Sequence, residues 1–217
     1  KGFEKDGYFE MAARDIRGLP KLEGTAQVNM VLIMKFMDKF FFEPSPYPDL
    51  PRQKSPGNDS FMFAQGSTSK GQNRIQFHDF NIAYNQSKLP NVKIFQSQIE
   101  VFKKFLKEAA PDKAQTRDLD FMLNVGELFT LVPYGQLILE CAKSEGISDD
   151  LVDQIFDFMV RDFSRYALQM YSRTSSTQAQ MDLCMQMIKK PAVNTERFER
   201  VWKENVLSLN MAYVMKP

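Results

Sequence analysis

Glu23 is the residue in this chain best placed to do chemistry. It stands between a loop broken by Gly18 and Pro20 and the start of a long apolar run. A carboxylate held there between buried helices loses solvent, and desolvation raises its affinity for a proton, as a general base requires. The competing reading is electrostatic: a Glu at a helix start is favoured by the macrodipole and needs no further role. Gly24, Thr25, Ala26 and Gln27 follow as a first helical turn. Its open N–H groups and the Thr hydroxyl suit an anion or the polar edge of a cofactor. A Thr cap, a Gly for a tight turn and a solvated Gln form the plainer account of the same residues. His78, the one histidine, has Asp79 beside it and no second His or Cys nearby, so it makes no zinc site and reads as a loop histidine bonded to local backbone. Residues 66–71 imitate a phosphate loop without the Gly-Lys-Ser/Thr order or a following helix. No metal is expected.

The elements that must position Glu23 are helical. Residues 8–16 read as a short helix, and residues 25–42 as a second, longer one. The second carries Val28, Val31, Leu32, Met34, Phe36, Met37, Phe40 and Phe41 on more than one stripe, which predicts burial on most sides. Lys35 on that helix reads as a snorkelling lysine. From Pro44 to Pro51 the prolines favour a stiff, extended connector. Phe61, Phe63, Phe77 and Phe80 suggest a loop pinned to a surface at two points. Beyond residue 91 the apolar period is helical throughout, over 92–109, 118–143, 148–170, 181–190 and 195–213. A bend is expected at Pro133-Tyr134-Gly135, a stop at Gly146, and N-caps at Ser148 and Thr195. The fold class this predicts is all-α: an antiparallel helical bundle over 91–217, with an N-terminal helical segment over 1–43 and a Pro/Gly-rich linker and loop over 44–90.

Composition narrows the functional classes. The chain has 217 residues, 43% hydrophobic and 25% charged, with a formal net charge of +1. That balance gives no electrostatic footprint for nucleic acid or an anionic membrane surface. The greasiest run, residues 28–42, is too short for a bilayer and carries Lys35, Asp38 and Lys39, so no membrane span is expected. Cys141 and Cys184 are far apart and read as buried thiols of a reducing, cytoplasmic compartment.

The string from Arg14 to Asn29 carries a resemblance. An Arg-Asp pair (Arg14, Asp15), a short gap, then Glu23-Gly24-Thr25 at a helix start resembles the C-terminal signature of flavin-dependent acyl-CoA dehydrogenases. The resemblance implies that Glu23 is the catalytic base, that Gly24 lies beside the substrate, and that Thr25 and Gln27 contact FAD. It implies an acyl-CoA or carrier-bound acyl thioester as substrate, a homo-oligomer, and an electron-acceptor protein. Arg14 and Asp15 would form a structural ion pair holding the catalytic turn. Leu22 departs from the pattern, since many members have an aromatic residue there, which leaves substrate shape open. The chain reads as the C-terminal portion of such an enzyme, inactive alone. The rival expectation is a non-catalytic helical module for oligomerisation or carrier-protein docking.

Overall fold

The computed structural model describes residues 8–18, 24–46 and 75–210. Helix takes 76% of these and none lies in a strand, so the chain is an all-α helical bundle. The helices are α1 (Tyr8–Gly18), α2 (Ala26–Met34), α3 (Met37–Phe42), α4 (Asn81–Gln86) and α5 (Pro90–Glu108), then α6 (Leu119–Glu145), α7 (Asp149–Tyr171), α8 (Gln178–Met187) and α9 (Thr195–Val201). A 3-10 turn, Gln115–Arg117, precedes α6. A π-helical turn, Trp202–Val206, extends α9.

Short polar side chains start these helices. Asp118 accepts from the N–H groups of Asp120 and Phe121, and Ser148 from that of Leu151. Thr177 and Gln180 form a reciprocal capping box at α8. At α9 the cap is Asn194, whose side chain reaches the Arg197 N–H at 2.9 Å. Thr195, expected as the cap, is instead the first helical residue.

Helix α7 stands at the centre, packed against α5, α6, α8 and α9. Helices α6, α7 and α8 alternate in direction: Asn124 near the start of α6 bonds Gln169 near the end of α7, and Lys189, after α8, bonds back to Ser164. Helix α5 runs parallel to α7, with Asn91 against Asp153 and Gln98 against Val160. A chain of rings fills the space between: Phe40 to Phe80 (5.2 Å between centroids), Phe41 to Phe102 (5.8 Å), Phe102 to Phe163 (6.0 Å) and Phe163 to Phe95 (5.5 Å). Such pairs add about 0.5–1.5 kcal/mol each beyond their burial.

Several sequence expectations change. The helix expected over 25–42 breaks at Lys35–Phe36, where i→i+3 bonds tighten the backbone and turn Phe40 and Phe41 into the ring cluster. Helix α2, expected to be buried on most sides, has no fully buried residue, because only one of its faces meets α6. Phe80 and Tyr84, within the stretch read as linker and loop, are fully buried, and Tyr84 lies on the unanticipated helix α4. Phe77 is pinned against Phe36 and Phe40, and its carbonyl accepts the Ser45 N–H at 2.9 Å. Phe61, Phe63, residues 66–71 and Tyr213 lie outside the described residues. Finally, Cys141 is exposed and only Cys184 is buried.

Pro133 does not break α6. The Tyr84 hydroxyl enters the helix there, donating to the Val132 carbonyl at 2.7 Å and taking a bond from the Gln136 N–H. Gly135 makes the entry possible, since a Cβ at that position would stand 2.4 Å from the Tyr84 oxygen. Among the described residues, α6 is also the one helix long and apolar enough to cross a membrane, where no span had been expected.

Two buried features give predictions. Arg197 is buried between Asp153 and Asp157, so Arg197→Met, which leaves the buried Asp153 without a cation, should cost about 3–5 kcal/mol in urea unfolding. Burial holds the Tyr84 phenol well above its ordinary value of 10.0. A raised folded-state value means full stability below that ordinary value, lost as pH rises toward the folded one. Tyr84→Phe should cost about 1 kcal/mol at neutral pH, and its urea midpoint should fall less steeply with alkalinity than that of the wild type.

Candidate functional site

The turn that opens α2 is set by two residues. Gly24 has φ +98°, in the left-handed region, and a Cβ there would also stand 3.2 Å from the Asn29 side-chain oxygen. Only glycine takes that conformation without strain. Thr25 is extended, with φ −70° and ψ 159°, and its hydroxyl accepts the Val28 N–H at 3.3 Å. The Asn29 N–H closes the first helical bond to the Thr25 carbonyl at 3.0 Å. The N–H groups of Ala26 and Gln27 have no partner within the helix and sit on exposed residues. The turn therefore presents two backbone donors and the Gln27 amide to solvent.

The structure thus brings Gly24, Thr25 and Gln27 together on one turn. Glu23, which precedes it, lies outside the described residues. Arg14 and Asp15 are exposed on α1, and among the described residues Arg14 pairs with Glu10 in its own helix at 3.4 Å and not with Asp15. That i,i+4 pairing is the local optimum for a solvated helix.

Below the turn, α2 rests on α6 through methionines. A Cβ at Gly126 would meet Met30 Cγ at 2.4 Å and Met34 Sδ at 3.2 Å, so the missing side chain is what lets α2 approach. The opposite face of α2 shows Val28 (52% exposed) and Leu32 (46%) to solvent.

Elsewhere, His78 is half-buried and lines an open groove of about 630 Å³ with Ile82, Leu139, Lys143 and Asp149. Lys143 there donates to Gln86 at 3.0 Å. No local sequence signal marks this groove, because its walls come from α4 and the α6–α7 corner. Among the described residues no three of His, Cys, Asp and Glu gather into a metal-holding group. Burial pushes the Cys184 thiol up to about 12, which leaves it inert.

Comparison with known proteins finds no match among family models, curated proteins or solved structures.

The turn and its seat are separately testable. Gly126→Val should cost about 1–3 kcal/mol by overpacking and should raise amide exchange in α2 more than in α7. Gly24→Ala should cost about 1 kcal/mol through backbone strain and speed exchange of the Val28 amide, which the turn protects.

Proposed function

We propose that this chain belongs to a flavin-dependent dehydrogenase acting on an acyl thioester, either acyl-CoA or carrier-bound, and supplies its catalytic base. The observation that carries the reading is the ordered string Arg14 to Asn29, together with a glycine-set turn whose backbone donors are left open. Glu23 would take the proton from the carbon next to the thioester carbonyl. Bound FAD would supply the acceptor for the hydride leaving the next carbon, so that one proton and one hydride depart, two electrons leave with the hydride, and a double bond forms. The residues present fit a polar, anionic group: the Ala26 and Gln27 N–H groups and the Gln27 amide face outward, and Thr25 orders the turn through Val28. Gly24 has no side chain to obstruct a substrate at the turn. In this reading the remaining walls of the flavin site come from polypeptide other than these helices, a second copy of the enzyme or both, and an electron-acceptor protein reoxidises the flavin.

The rival reading, a non-catalytic helical module for oligomerisation or carrier docking, is favoured by one observation. Phe198 and Trp202 stack at 6.2 Å on the outer face of α9, 50% and 46% exposed. Exposed aromatic pairs of this kind are typical anchors at protein interfaces.

Glu23→Gln separates the two. In the flavoenzyme containing this chain, the amide keeps size and hydrogen bonding but cannot take the proton. Flavin reduction by a saturated acyl thioester in stopped flow should slow by about a thousandfold, with flavin content unchanged. Equal reduction rates in mutant and wild type would remove the assignment.

A further inference from the structure

A second groove opens where the far end of α2 meets the first turn of α6. Its volume is about 330 Å³, and its walls are Val31 and Met34 of α2 with Leu119 and Met122 of α6. That is near the lower end of small-molecule sites, about 300–1,000 Å³. Leu119 is 56% exposed although it sits on an otherwise core-forming helix, so one apolar wall stands uncovered.

The rim decides the chemistry. Lys35 and Arg117 both line the groove, and among the described residues no carboxylate does. Neither cationic side chain has a hydrogen bond or ion pair within the described residues. The acids at this corner are turned elsewhere: Asp118 is spent on capping α6, and Asp120 and Asp38 are exposed without lining the groove. Several other exposed cations here do find carboxylates, as Lys104 does with Glu108 and Arg200 with Asp150. Two unpaired cations over an apolar trough are matched by an anionic head on a single apolar chain. The guanidinium can hold a carboxylate through two parallel bonds, and the ammonium adds a point charge.

We propose that this groove binds a single-chain carboxylate amphiphile, with its head between Lys35 and Arg117 and its chain along Val31, Met34, Leu119 and Met122. The groove begins at Val31, about 6 Å along α2 from Gln27, and the proposal stands without the flavoenzyme reading.

Decanoate below its micelle concentration is the probe, with decanol and acetate as tail-only and head-only controls. In the full chain carrying ¹³C-methyl methionine, decanoate should shift the Met34 and Met122 methyl signals and leave those of Met170 and Met187, both buried in the core, in place. Either control should bind at least tenfold more weakly. The double variant Lys35→Glu/Arg117→Glu, changing two exposed side chains, should keep its circular dichroism and lose at least tenfold in decanoate affinity. Absence of Met34 and Met122 shifts at millimolar decanoate would overturn the proposal, as would decanol binding as tightly as decanoate. Undiminished binding by the double variant would overturn it too.

Discussion

The bundle hangs on one buried charge cluster. Asp153 and Asp157 lie one turn apart on the inner face of α7, and Arg197 of α9 bonds Asp153 and stands 3.7 Å from Asp157. Two carboxylates and one guanidinium would leave an uncompensated buried charge, which is costly. Arg161 supplies the fourth charge from the surface, closing on Asp157 at 2.7 Å as an ion pair off the direction of a hydrogen bond. Asp153 does a second job. Helix α5 begins at Leu89, which has no side chain able to cap it, and Asp153 reaches across to accept the Asn91 N–H at 2.8 Å. The parallel pairing of α5 and α7 thus places an acid of one helix at the positive end of the other. Asn91 then bonds Ala192 through both ends of its amide, fixing the strand of chain between α8 and α9. Three helices and a loop take their relative positions from these few groups.

Helix α6 presents the opposite problem, being apolar on nearly every side. A helix of that kind needs partners around it, and it recruits α7 on one flank and α2 and α4 on others. Each approach goes through a glycine on α6: Gly126 admits Met30 of α2, and Gly135 admits Tyr84 of α4. Small residues at the contact let backbones come close, and a flexible methionine fills the space without demanding one shape. The candidate turn is therefore carried on a helix seated by adaptable side chains, while the turn itself is fixed by Gly24 and Thr25.

Much of this was legible in the sequence, and for physical reasons. The caps at Ser148 and the stop at Gly146 are local chemistry, so they read directly. The apolar period beyond residue 91 reads as helix most clearly in α5 and α7, whose buried residues recur every three or four positions. What failed to read depends on distant residues. Pro133 looks like a bend until Tyr84 arrives from 49 positions upstream to bond beside it. The break at Lys35–Phe36 serves the ring cluster, whose other members include Phe80 at the start of α4, Phe102 of α5, Phe129 of α6 and Phe163 of α7. Thr195 and Asn194 are both good caps, and the choice follows from where Arg197 must enter the buried cluster. The candidate turn was legible as a turn, with Gly24 and Thr25 behaving as their residue types dictate. Among the described residues the expected Arg14–Asp15 pair does not form, because Arg14 meets Glu10 one turn back inside α1.

Helix α2 ties these observations to function. It carries no charge from Ala26 to Met34, yet only one of its faces is packed. Along nine residues it offers an open polar turn at one end, bare Val28 and Leu32 in the middle, and a cation-rimmed groove at the other. A surface helix that only covered α6 would gain from polar residues on its outer side, since exposed valine and leucine cost solubility without adding packing. The core also makes no demand for valine or leucine at those two positions, because neither is buried. In the proposed reading that outer face forms one wall of a site, and its other wall is a flavin, a substrate or another polypeptide.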